Sequence, residues 1–133
     1  MKKAYLSISY QNRKNLGAEI EAMRAVLVTN QMELFVFVDN YHFAPTKEKQ
    51  MMHQAFTDIA SADLLIAEVS EKAIGVGIEI GYAAALRKPI IYLRNNQSEH
   101  STTASGSAGY SIIYQNAEDL AQKMKEIVTT LQF

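Results

Sequence analysis

Five short runs rich in β-branched and aromatic residues alternate along this chain with stretches whose apolar residues recur at helical spacing. No other feature constrains the fold as strongly. The strand-like runs are "KAYLSIS" (Lys3–Ser9), "ELFVFV" (Glu33–Val38), "ADLLIAEV" (Ala62–Val69), "KPIIYL" (Lys88–Leu93) and "YSIIY" (Tyr110–Tyr114). Between the first two, Leu16, Ile20, Met23 and Leu27 mark one helix face. Thr46 is placed to cap a second helix with Met52, Phe56 and Ile59 inward, and a third is expected from about Ile78 to Leu86. Asn116 is placed to cap a last one carrying Leu120, Met124, Ile127 and Leu131. Strands alternating with helices imply a parallel sheet covered on both faces. The expectation is one α/β domain over residues 1–133: a three-layer, flavodoxin-like and Rossmann-like fold, with five parallel strands in the order 2-1-3-4-5. Right-handed crossovers then gather the loops after the strands at one edge, where such folds bind ligands. Those loops hold Ser7 to Asn12, Asp39 to His42, Glu68 to Glu79 and Arg94 to Gly106.

Composition removes several classes of function. A net charge of −1 without a basic run offers no footprint for a nucleic-acid polymer or an anionic membrane. The absence of cysteine excludes disulfides and thiolate metal sites, and no stretch reaches the length of a membrane span. His42, His53 and His100 are too scattered to suggest a metal site. A cytoplasmic protein without a cofactor is the expectation.

The segment "AIGVGIEIGYAAALRKP" (Ala73–Pro89) carries the chemistry. Its glycines are spaced G-x-G-x-x-x-G after the third strand, so it is not the dinucleotide fingerprint, and no nucleoside-triphosphatase loop is present. A phosphoacceptor domain would close its first strand with acids, but this one closes with "SISY". Two accounts of Glu79 remain. In one, Gly75 and Gly77 make a tight turn and Glu79 is a solvated first-turn acid favoured by the helix dipole. In the other, the same dipole holds an ionised carboxylate beside a glycine-lined sugar pocket, where it can attack an anomeric carbon.

The run "ADLLIAEVSEKAIGVGIEIGYAAALRKPIIYL" (Ala62–Leu93) resembles the nucleoside 2-deoxyribosyltransferase family, especially its 2′-deoxynucleoside 5′-phosphate N-hydrolase branch. The shared features are an Ala-Asp strand start, an acidic strand end, G-V-G-x-E-x-G, an alanine-rich helix and Lys-Pro before the next strand. The resemblance implies that Glu79 is the catalytic glutamate and that Tyr5 orients it by hydrogen bonding. It also implies that Ser9 contacts substrate, that Ser101, Thr102 and Thr103 lie where a neighbouring subunit donates a phosphate-contacting serine, and that the protein is a homo-oligomer. Ala55 stands where the family carries a proton-transferring aspartate, and Ala73 stands where the hydrolase branch has a serine. Asp58 and Asp39 are the alternative acids.

The expected substrate is a nucleoside or nucleoside 5′-monophosphate, split or transferred at its N-glycosidic bond. A nucleotide-sensing domain without turnover and an NAD glycohydrolase are the alternatives. Tyr10 and Tyr41 are candidates to stack on a base, and Arg13 to meet a phosphate. Glu68 is either a hydroxyl acceptor or a solvated or ion-paired acid, and Asp63 is structural.

Overall fold

The computed structural model describes all of residues 1–133. Its sheet holds β1 (Lys2–Ile8), β2 (Met32–Val36), β3 (Leu64–Glu68), β4 (Ile90–Asn95) and β5 (Tyr110–Tyr114). All four pairings are parallel, in the order β2-β1-β3-β4-β5. The helices are α1 (Gly17–Thr29), α2 (Phe37–Asn40), α3 (Glu48–Ser61), α4 (Ile74–Ala85), α5 (Thr102–Gly106) and α6 (Ala117–Val128). None is long and apolar enough to cross a membrane.

Alternation along β1 divides the core. Ala4, Leu6 and Ile8 face the layer of α1 and α6, where Ile20, Met23, Leu27, Leu120 and Met124 are buried. Tyr5 faces the layer of α3 and α4, with Ile59, Val76, Ile80 and Ala83. A fully buried aliphatic side chain of this kind contributes about 1.5–3 kcal/mol. The α1 stripe read from the sequence is therefore the one the sheet covers.

Local departures from the expected elements cluster at the ligand edge. β2 ends at Val36, and Phe37–Asn40 coil into the short α2 instead of extending the strand. Thr46 does not cap α3: Pro45–Lys47 form a 3-10 turn, and Lys47 precedes the helix without a side-chain cap. Ala55, Asp58 and Ile59 are the buried residues of α3, while Met52 and Phe56 are half-buried. The polar stretch before β5 contains α5, capped by Ser101, whose Oγ accepts from the Ala104 amide at 3.3 Å. The largest correction concerns α4. It begins at Ile74, four residues before the expected start, so Gly75 and Gly77 belong to its first turns and make no tight turn.

Asp63 accepts from the Lys3 amide at 2.9 Å, at the edge opposite the ligand edge. At the ligand edge Glu68 is 1% exposed. It accepts from the Ser70 amide at 2.7 Å, from the Ser70 hydroxyl at 2.9 Å and from the Tyr114 hydroxyl. Ser70 Oγ in turn accepts from the Asn95 amide at 2.8 Å, so one acid ties the ends of three strands together. Burial pushes the Glu68 pKa up despite these donors.

Asn116 caps α6 as expected, its Oδ1 accepting from the Asp119 amide at 2.8 Å. Asn116→Ala is expected to cost about 1 kcal/mol, read as a lower urea midpoint at unchanged slope.

Candidate active site

Glu79 lies in the second turn of α4, and no acid occupies the first. Its carboxylate is held by β1: the Tyr5 hydroxyl donates to Oε2, and Ser7 Oγ donates to Oε1 at 2.6 Å. Tyr5 and Ser7 are 0% and 1% exposed. Both sit on the same sheet face because they are two apart on a strand. The half-buried carboxylate is thus held by side-chain hydroxyls and not by first-turn amides. Burial raises the pKa of Glu79, and the Ser7 and Tyr5 hydroxyls pull it back down. Burial, then the charge of Glu79 and more weakly that of Asp58, drives the Tyr5 phenol far above its ordinary range. Tyr5 is therefore a fixed proton donor to Glu79 at any physiological pH.

Asp58 comes from the buried face of α3. It is 9% exposed, accepts from Gln54 Nε2 at 3.0 Å through Oδ1, and leaves Oδ2 buried without a partner. Tyr41 is close enough that Asp58, after burial, raises its phenol pKa. Phe35, Phe37, Tyr41 and Phe43 continue from Tyr5 as a chain of rings, each 5.0–6.3 Å from the next. The α2 turn aims Phe37 and Tyr41 at each other, with centroids 5.0 Å apart. Asp39, on the same turn, has both oxygens taken by Arg13, with Nε at 2.8 Å and Nη2 at 2.9 Å. Tyr10 is 72% exposed at the mouth of the β1 loop.

On the other side of α4 lies a cavity of about 410 Å³. Gly77, Val76 and Ile80 of α4 face Ser101, Thr103 and Ala104 across it. Glu79 does not line it, and neither do Gly75 and Thr102. Gly75 and Gly77 have negative φ and open space where a Cβ would stand, so the fold of this chain does not itself require glycine there. Glu71 borders the cavity and also reaches Ser9, whose Oγ donates to it at 2.5 Å. Lys72 is paired with Glu99 at 2.6 Å. Arg94 Nη1 donates to the carbonyls of Asn95 and Ser98, and its Nε is buried without a partner. No three His, Asp or Glu side chains gather closely enough to hold a metal ion.

The structure therefore joins Tyr5 to Glu79 directly and sets Asp58 nearby. Ser9 lies just past the end of β1, two residues after Ser7, Asp39 is tied to Arg13, and the Ser101–Thr103 segment lies across the cavity. Sequence reasoning missed Ser7 as a Glu79 donor, although its parity with Tyr5 was available as a signal. It also missed Glu71 as the partner of Ser9, a pairing between loops 62 residues apart in sequence that no local pattern reveals.

The raised pKa of Glu79 fixes the sign of a stability test. Below the ordinary carboxylate range, folded and unfolded Glu79 are both protonated, and stability is complete. As pH rises, the unfolded chain ionises first, and stability falls until the folded group ionises as well. Denaturation of the wild type and Glu79→Gln at several pH values is expected to show the wild type losing stability relative to the variant across that window. A constant difference would contradict the assigned burial.

The family pattern described as nucleoside 2-deoxyribosyltransferase matches residues 4–130. The curated relatives match over a shorter stretch. A putative 2′-deoxynucleoside 5′-phosphate N-hydrolase 1 from Syntrophotalea carbinolica is 50% identical over 46 residues, 35% of this chain and 32% of that protein. The 5-hydroxymethyl-dUMP N-hydrolase of Rattus norvegicus is 44% identical over 50 residues, 37% and 31% of the two chains. The matched stretch thus spans about a third of these relatives. Among solved structures, a CMP N-glycosidase from Clostridium botulinum is similar at TM-score 0.67 and 23% identity, covering 95% of this chain and 99% of that one. A 2-desoxiribosyltransferase from Leishmania mexicana is similar at TM-score 0.68 and 17% identity, covering 99% and 100%. These structural likenesses establish the shared fold. With nearly the whole chain matched by the family pattern, this protein belongs to the nucleoside 2-deoxyribosyltransferase family.

Proposed function

We propose that this protein cleaves or transfers at the N-glycosidic bond of a nucleoside or nucleoside 5′-monophosphate, with Glu79 as the nucleophile. One observation carries this: the Glu79 carboxylate is held at the edge of the sheet by two strand hydroxyls, one on each oxygen. Glu79 attacks the anomeric carbon, forming a C–O bond as the C–N bond breaks with its electron pair on the base. Tyr5 and Ser7 position the carboxylate. Asp58 is the proposed acid that protonates the departing base; its unpartnered Oδ2 supports it over Asp39, whose oxygens Arg13 holds. Water, or a second base, then takes the glycosyl group and returns Glu79 to its starting state. The ring of Phe37, Tyr41 and Phe43 supplies flat apolar walls for a base.

Release of free base from a panel of deoxy- and ribonucleosides and their 5′-monophosphates tests the proposal. Glu79→Gln is expected to lower kcat by about 10³-fold or more, and Asp58→Asn by about 10²–10⁴-fold. Because Glu79 must be ionised, kcat/KM is expected to rise with pH through its raised pKa. Release by Glu79→Gln at the wild-type rate would refute the assignment. Ala55, 1% exposed where the family carries its aspartate, favours one alternative, a nucleotide-binding domain without turnover. Thermal stabilisation by nucleotides without base release would select it.

The proposal includes a homo-oligomer. Ile74 is 84% and Ile78 46% exposed on the outer face of α4, with Gly81 and Ala85 beside them. Glu79 is the only charged residue of the helix, and a helix apolar all round is normally covered. Joint replacement Ile74→Asp and Ile78→Asp is expected to give a monomer by light scattering where the wild type is larger.

A further inference from the structure

We infer that Ser7 is a positioning residue for the second half of the reaction: it holds Oε1 of Glu79 as the attacking oxygen and, by donating to it, helps the glutamate leave the sugar. This rests on the N-glycosidic reaction proposed above. The two carboxylate oxygens are held by unlike groups. Oε2 takes the Tyr5 hydroxyl, at the end of a 0% exposed ring packed against Phe35 and Phe37, with centroids 5.9 and 6.0 Å away. That ring cannot turn without repacking the core around it. Oε1 takes the Ser7 hydroxyl at 2.6 Å, from a short side chain that swings about a single bond and has no other partner. β1 runs from Lys2 toward the ligand edge, which sets Ser7 about 6.5 Å nearer that edge than Tyr5 along the strand. Oε2 is thus the anchored oxygen, which stays a carbonyl, and Oε1 the one that bonds to carbon.

In the first step an Oε1 lone pair forms the C–O bond as the C–N bond breaks with its electrons on the base, which takes its proton from Asp58. In the second, the oxygen of water bonds to the anomeric carbon and the C–Oε1 pair returns to Oε1. The water proton passes to the Asp58 carboxylate. An oxygen bonded to carbon still has a lone pair to accept with, so the Ser7 hydroxyl stays on Oε1 and meets the negative charge as it reappears. Its donation acts in opposite senses on the two steps. It makes Oε1 a weaker nucleophile and a better leaving group, because it favours the ionised carboxylate. Burial raises the Glu79 pKa, and of the two hydroxyls Ser7 pulls it down further. No lysine or arginine pairs with Glu79, so the two hydroxyls alone support its charge.

The test is rapid-quench release of free base by the wild type, Ser7→Ala, Ser7→Cys and Ser7→Thr, on the nucleoside or monophosphate that the wild type cleaves fastest. Ser7→Ala is expected to release a stoichiometric burst of base and then turn over about 10–10²-fold more slowly than the wild type, the effect of one lost hydrogen bond to a charged group. KM should fall with kcat as the glycosyl-enzyme accumulates, leaving kcat/KM nearly unchanged well above the Glu79 pKa. The acid limb of kcat/KM should move to higher pH, because the ionised form has lost a donor. Ser7→Cys, of similar volume but a weak donor, is expected to follow Ser7→Ala, and Ser7→Thr, which keeps the hydroxyl, to follow the wild type. A merely structural role would lower kcat/KM along with kcat and give no burst. That result, an acid limb unmoved in Ser7→Ala, or a burst in Ser7→Thr equal to that of Ser7→Ala overturns the inference and leaves the Glu79 assignment standing. A wild type that releases no base from any substrate overturns both.

Discussion

The contact between the Glu79 carboxylate and the hydroxyls of Tyr5 and Ser7 governs the site. It crosses from helix to strand, so it exists only once β1 is central in the sheet and α4 lies over the face that carries Tyr5. Burying a carboxylate raises its pKa, and only donors already fixed by the fold can offset that cost without further ordering. The two hydroxyls meet that requirement because β1 is enclosed between β2 and β3 and cannot shift register without turning every side chain to the wrong layer.

Much of this architecture was legible in the sequence. Parallel strands buried on both faces read as continuous apolar runs, so strand order and the ligand edge followed from hydrophobic pattern and chain handedness. The helix stripes of α1 and α6 and the cap at Asn116 were local signals, and they were visible for that reason. The start of α4 was misjudged because two glycines resemble a loop, whereas here they take helical backbone angles with open space around them. That error also placed Glu79 one turn too close to the helix end, so the local pattern credited its support to the helix dipole, while the resemblance alone pointed to Tyr5.

What the sequence could not display was pairing across distance. Ser9 and Glu71, Arg13 and Asp39, and Glu68 and Tyr114 are each brought together by topology, and none is marked by its neighbours in the chain. The family resemblance named Glu79 and Tyr5 but said nothing of Glu71, whose partner lies 62 residues away in sequence. The α2 turn belongs to the same category. Phe37 reads as one more strand residue, yet the strand ends before it, and the coil swings its ring beside that of Tyr41.

The segment joining β3 to α4 is moored twice, by Ser70 to Glu68 and to the end of β4, and by Glu71 to Ser9. The moorings are separable. The first lies on the sheet face away from Glu79 and keeps the backbone path; the second touches the ligand edge alone. Loss of the second would therefore free the tip of the loop while the buried glutamate beneath preserves the course of the chain.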